Sequence, residues 1–307
     1  MNLSDKYAHA LSRTPLKQST FIMSLDTELA WGFLLHPKSR ALTSLQNDPS
    51  YGRDMVTFLL RLLEKYYIPA TWAIVGHLFL KPGEGRPLIS KDMASFKENW
   101  LDWEFYNNYI AHSPLYCGGD IIERILSCRV SQEIGLHSFF HLPLPQCSKQ
   151  VVTDELEIGV KLAREKGIAP RSFVFPGNDI KHIDILESAG FQSYRGKNLP
   201  RWNLLNTINS SNPPKKKHGL WEVPSSICFV DPLLPSSLLP RARILLSNAI
   251  RKMEVFHVFL HPHNLLTQPS LAKYLDQFLG TVARKRDEGK LQVMTMQQLA
   301  TQLDSIS

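Results

Sequence analysis

The chain has 307 residues, 43% of them hydrophobic, enough for a sizeable core and in the size range of one α/β barrel of roughly 250 residues plus insertions. No apolar run reaches the ~18 residues that span a bilayer, and Met1 to Thr20 lacks the apolar centre of a secretory signal, so a soluble, cytoplasmic protein is expected. The net charge of +7 is gathered in part into Lys215-Lys216-Lys217 and Arg284-Lys285-Arg286, without the interleaved aromatics of a nucleic-acid surface, so no nucleic-acid partner is expected.

In chain order, residues 1–19 read as a poorly ordered leader and 20–307 as a single domain. Thr20 to Asp26 is a short apolar run of the kind that forms a buried parallel strand, and it ends in Asp26-Thr27-Glu28, two carboxylates one residue apart. Met55 to Tyr66 has helical spacing, and Pro69 to Gly76 is a second strand with a glycine stop. Residues 80–118 form an irregular stretch with Trp100, Trp103, Phe105, Tyr106, Tyr109 and Tyr116, which suggests an insertion over one face. Its aromatics either pack the insertion onto the body, the favoured reading, or line a sugar-binding cleft.

Asp120 to Ser127 reads as a helix behind an acidic cap, followed by a strand that ends in Gly135-Leu136-His137-Ser138-Phe139-Phe140-His141. If the residues after His137 begin a helical turn, both imidazoles project into one space and can share a metal. Thr153 to Lys166 is a helix, Ser172 to Asn178 a strand with a Pro-Gly turn, Ile180 to Ala189 a helix and Phe191 to Arg195 a strand. Residues 197–219 read as loop, Leu220 to Pro224 as a strand and Pro240 to Met253 as a basic amphipathic helix. Val255 to Leu260 is an apolar strand that runs into His261-Pro262-His263, before a helix at 270–288, a last strand at 291–296 and a closing helix at 297–303. The four cysteines, Cys117, Cys128, Cys147 and Cys228, form no C-x-x-C pair and indicate neither a thiolate zinc site nor a disulfide scaffold. Short strands alternating with helices imply a parallel sheet, closed or nearly closed at this length. Asp26, Glu28, His137, His141, Asn178, Arg195 and His261 all fall at or just past a strand end, where barrels of this type gather their reactive groups.

These segments together resemble the polysaccharide deacetylase family with the NodB-homology domain, carbohydrate esterase family four, over roughly residues 20–300. Ser24-Leu25-Asp26-Thr27-Glu28 resembles its first motif in the Asp-x-Asp/Glu form, and His137-Ser138-Phe139-Phe140-His141 resembles its second. Ala70 to Gly76 is similar to its Ala-Thr-Phe-Phe-x-x-Gly strand, Phe175-Pro176 to its third motif and Leu260-His261 to its last. Three departures stand out: the two histidines have one residue fewer between them, Thr27 replaces a second consecutive aspartate, and Gly177 and Asn178 stand where an arginine often orients the base.

The resemblance implies a distorted (β/α)₇ barrel that performs metal-assisted amide or ester hydrolysis. His137, His141 and a carboxylate, Glu28 by analogy with the Asp-x-Asp form and Asp26 as the alternative, would hold a divalent ion, most simply Zn²⁺, with Asp26 as general base, His261 as general acid and Arg195 orienting the base in place of the missing arginine. Phe175, Pro176, Asn178 and Trp221 would border the substrate. That substrate is expected to be an N-acetylated sugar, free or linked to a lipid or nucleotide, with peripheral membrane contact through the basic stretches as a further expectation. Hydrolysis of a small non-sugar amide and a non-catalytic carbohydrate-binding role are the alternatives. The sequence leaves the oligomeric state open.

Overall fold

The computed structural model describes residues 16–34, 38–84, 89–197, 213–230 and 235–306. The expected leader up to residue 15, residues 85–88 of the insertion and residues 198–212 of the expected loop lie outside the described residues.

Strand β1, Ser19–Thr27, is buried along its whole length, and its side chains alternate between two environments. Phe21, Met23 and Leu25 join the large cluster between the sheet and its surrounding helices, whereas Ile22 joins a second, smaller cluster inside the sheet. The other strands are β2 (Thr71–Ile74), β3 (Glu133–Leu136), β4 (Ser172–Phe173), β5 (Ser193–Gly196), β6 (Lys215–Lys217), β7 (Leu220–Pro224), β8 (Ile227–Cys228), β9 (Val255–Leu260) and β10 (Leu291–Met294). They lie in the order β6-β7-β5-β4-β3-β2-β1-β9-β8, and β10 pairs with β1. Among the described residues only the β6–β7 pair is antiparallel.

Two short segments close the ring. β7 runs beside β5, and after only Ser225 and Ser226 the chain continues as β8 beside β9. The Ser225 hydroxyl donates to the Gly196 carbonyl at 3.0 Å, and the Ser226 N–H donates to the His257 carbonyl at 2.7 Å. One nearly continuous strand therefore bridges β5 to β9, giving the distorted (β/α)₇ barrel anticipated from the sequence. β1 is long enough to carry β10 beside Ser19–Ile22 and β2 beside Ser24–Thr27, so one strand edge serves two partners in succession.

The end of the barrel where the strands begin is plugged. Met296, Leu299, Ala300 and Leu303 of the helix Met296–Ile306 cluster with Ile22, Ala73, Val174, Trp221 and Val223. The first amides of that helix are satisfied by the barrel itself: Met296 N–H donates to Thr71 Oγ1 at 2.9 Å and Gln297 N–H to Glu133 Oε2 at 3.0 Å. The inward-facing polar groups at the opposite end thus open in one direction only.

Several local expectations change. Lys215–Lys217 is an edge strand that turns into β7 through His218 (φ 46°) and Gly219 (φ 73°), the two positive-φ residues a tight hairpin requires. Asp120 is no helix cap, since the helix Gly119–Leu126 starts behind Gly118 and the Asp120 carboxylate instead takes Arg53 at 2.9 and 3.0 Å. The insertion contains short helices at Ala94–Lys97 and Trp103–Asn108. Its Tyr106 and Tyr116 are buried around Trp31, His77 and Phe140, as the packing reading required, while Phe105 and Tyr109 stack on each other at the surface. No described helix is long and apolar enough to cross a membrane.

Candidate active site

The two-residue period of β1 puts Ser24, Asp26 and, one step past the strand, Glu28 on the inner face. All three are buried. The chain then swings away at Leu29 (φ 49°), and the turn Trp31–Phe33 folds back over the Glu28 side chain. Gly32 permits that approach, because a Cβ at this position would collide with the Glu28 carboxylate.

His137 follows β3 directly. Its Nδ1 lies 2.7 Å from the Val174 carbonyl, which can only accept, so Nδ1 carries the proton. Its Nε2 then faces Glu28 Oε1 at 3.1 Å. His141 Nε2 stands 3.1 Å from the same oxygen, yet it is buried without a hydrogen-bond partner. His261 Nε2, arriving from the end of β9, lies 3.3 Å from that oxygen and 3.6 Å from Asp26 Oδ2. One carboxylate oxygen is therefore ringed by three imidazole nitrogens. A neutral acceptor nitrogen and a carboxylate oxygen repel at such distances unless they share a proton or a cation. Glu28, His137 and His141 have ligand atoms within 4.8 Å of one another, as do Asp26, Glu28 and His261. An orphaned buried nitrogen and an N₂O donor set both suit a divalent ion such as Zn²⁺.

His137 and His141 do not share a helical turn. Ser138 (φ 55°) and His141 (φ 58°) are both left-handed, so the link is a tight loop that brings the rings to 4.8 Å between centroids. Meeting of the two imidazoles was legible in the sequence; the backbone that achieves it was not.

Asp26 is gripped from below. Arg195 on β5 is fully buried and donates from Nη1 to Asp26 Oδ1 at 2.5 Å and from Nη2 to Oδ2 at 2.6 Å, a two-pronged ion pair. The guanidinium also donates to Asn178 Oδ1 from Nε (3.0 Å) and Nη2 (2.7 Å) and to Ser24 Oγ from Nη1 (3.1 Å). Its underside rests on the Phe259 ring, 4.1 Å from the centroid. Ser24 Oγ pairs in turn with His257 Nε2 at 2.9 Å.

The electrostatics follow from these contacts. Burial pushes the Asp26 carboxyl up, but Arg195 outweighs it, and the acid is held below its usual value. Glu28 is held well below the usual range because the surrounding imidazoles outweigh its burial. Burial alone would lower His261, yet Glu28 and Asp26 raise it to about 9. His257 is pushed down to about 3 by burial and by Arg195, so it serves the network as a neutral ring.

Asp26, Glu28, His137, His141, Arg195, Asn178 and His261 thus meet at one end of the barrel. Phe175 and Trp221 do not. Phe175 has the opposite parity on its strand and packs among Phe173 and Tyr194 in the outer cluster, and its neighbour Pro176 is buried in the turn. Trp221 is the second residue of β7, and it sits at the plugged end with its indole N–H on Asp304 at 2.9 Å. The sequence assigns no role to Ser24 beyond its place in the first motif, and it sets His257 aside as a mid-strand alternative to His261. Their signal was parity: each lies an even number of residues from Asp26 or His261 on its own strand.

No protein-family model matches the sequence, and no curated protein matches it. Solved structures do. A protein named as a polysaccharide deacetylase from Mycobacterium smegmatis superposes with a TM-score of 0.60 at 16% identity, over 96% of this chain and 93% of that one. PuuE allantoinase gives 0.61 at 11% identity, over 92% and 89%. A protein named as a polysaccharide deacetylase from Pseudomonas aeruginosa PAO1 gives 0.60 at 12% identity, over 92% and 90%. At these identities the likeness establishes the fold, the barrel of polysaccharide deacetylases.

Proposed function

We propose that this chain is a metal-dependent hydrolase of non-peptide C–N bonds that removes an N-acyl group, acetyl in the first instance, from an amino sugar. The observation that carries the reading is the meeting of Glu28, His137 and His141 beside an Asp26 held ionised by Arg195. Glu28, His137 and His141 would hold the ion, and Zn²⁺ is the simplest occupant of such a set. When bound, the ion supplies a Lewis acid for the acyl oxygen and a water that ionises near neutral pH.

The chain's own groups account for the proton movements. Arg195 occupies one lone pair on each Asp26 oxygen, and a carboxylate keeps further acceptor capacity with which to take a proton from water. His261, partly exposed beside both carboxylates, is the proton donor for the departing amine. Asn178 stiffens the base by holding the far side of the guanidinium. The side chain of Glu28 has no slack beneath Gly32. Gly32→Ala is expected to weaken zinc retention by about 10-fold or more, the scale of a disturbed metal-site support, as read by competition with a chelating dye.

A second reading, hydrolysis of a small non-sugar amide, draws on the likeness to an allantoinase. A lipid- or nucleotide-linked sugar was expected in part from the basic helix at 240–253, and nothing in the comparisons supports it; membrane contact was expected from the runs Lys215-Lys216-Lys217 and Arg284-Lys285-Arg286, several of whose charges are engaged within the chain. Lys216 pairs with Asp304 and Lys217 with Glu222, Lys285 pairs with Glu288, and Arg286 donates to the Tyr66 and Tyr67 carbonyls. The deciding assay incubates the zinc-loaded protein with N-acetylglucosamine oligomers and, separately, with allantoin and simple amides. Acetate release from the oligomers is the expected result. Turnover of the small amides alone would replace the first reading with the second, and turnover of neither would favour the non-catalytic carbohydrate-binding role.

A further inference from the structure

The loop between the two ligand histidines has backbone groups that neither a helix nor a strand satisfies. Two sides of the protein satisfy them. From the end of β2, Gly76 N–H donates to the Ser138 carbonyl at 2.8 Å and His77 N–H to the Phe139 carbonyl at 3.1 Å. From the other side, Glu155 Oε2 accepts the N–H groups of both Phe139 (2.9 Å) and Phe140 (2.8 Å). Glu155 lies on the inward face of the helix Lys149–Glu165 and is fully buried. Its other oxygen accepts from Ser95 Oγ of the insertion at 3.2 Å.

A buried carboxylate without a cationic partner is expensive, so its presence demands a return elsewhere. Burial pushes Glu155 up to about 7, and the Phe139 and Phe140 amides pull against that rise. The return is local: two adjacent amides that would otherwise be buried unpaired are satisfied by one side chain. They belong to the loop whose left-handed ends, Ser138 and His141, fix where the second imidazole points.

We infer that Glu155 is the positioning residue that sets His141 for metal binding, by clamping the amides of Phe139 and Phe140 while it ties the insertion to the same loop through Ser95. It touches no reacting atom and acts through the loop. The inference rests on the metal-dependent reading proposed above.

The test compares wild type, Glu155→Ala, Glu155→Gln, Val160→Ala and His137→Ala in zinc titrations against a chelating dye, with amide hydrogen exchange of the 137–141 loop measured without metal. Glu155→Ala is expected to weaken zinc binding by about 10–100-fold, the range for lost outer-shell partners, and to speed exchange at Phe139 and Phe140. Glu155→Gln, which keeps one oxygen acceptor, should fall between Glu155→Ala and wild type in both measurements. Val160→Ala, a core truncation on the same helix, should lower thermal stability without changing zinc affinity. Wild-type zinc affinity with a still-protected loop in Glu155→Ala would overturn the inference, as would equal weakening by Val160→Ala. If Glu155→Ala does not fold, Glu155→Met, which fills the space without an oxygen acceptor, decides, and wild-type values in both measurements overturn the inference. If the wild type takes up no zinc, the metal reading fails on its own. The exchange data then judge the clamp, which unchanged exchange overturns.

Discussion

Arg195→Met is expected to destabilise the fold by about 3–5 kcal/mol, the magnitude for removing one partner of a buried ion pair. The reason lies in what remains behind. Asp26 would keep its buried charge while losing both short hydrogen bonds, and Asn178 Oδ1 and Ser24 Oγ would each lose a donor. Methionine fills similar volume over the Phe259 ring, so the loss would come mainly from electrostatics and not from a cavity. The pH dependence separates the two. The Asp26 carboxyl is lowered from 3.8 in the folded protein, so the pair's contribution is present above that value and lost as pH falls through the folded pKa. Denaturant titrations at neutral pH and at pH ~3 should therefore show the gap between wild type and Arg195→Met narrowing in acid, the sign required by linkage. A gap that stays constant with pH would mean that the guanidinium acts as packing alone.

The second large effect is on turnover. Asp26→Asn is expected to fold and to retain zinc while kcat falls by about 10²–10⁴-fold, the usual contribution of a positioned general base. The amide oxygen can still accept from Arg195, and the guanidinium keeps Asn178 and Phe259, so this variant should lose less stability than Arg195→Met. What it loses is the basic oxygen beside the ligand group. Rates near those of the wild type, with zinc bound, would transfer the base role away from Asp26.

Much of this site could be read from strand ends. Asp26, Glu28, His137, Arg195 and His261 were legible because a barrel strand delivers its last inward residue to the mouth, and each of the five ends or just follows a strand read from the sequence. Trp221 was misread because it stands near the start of its strand; the same rule, applied to the opposite end, sends it to the plug around Met296 and Leu303. Phe175 was misread by parity, one residue out of phase with the interior. Glu155 left no local trace beyond a helical pattern. Its partners are the backbone N–H groups of Phe139 and Phe140, and no side-chain pattern records them. Ring closure through Ser225 and Ser226 was equally hidden, since it depends on hydrogen bonds to Gly196 and His257 that only the tertiary fold creates.

Metal content tests the central claim most directly. Wild type and His137→Ala, each loaded with zinc, dialysed and assayed by elemental analysis, should differ completely: a single equivalent retained per wild-type chain and essentially none in the variant, because the lost imidazole is one of three groups drawn around one point. A wild-type chain that retains no metal, or a His137→Ala chain that retains as much as wild type, would contradict the account.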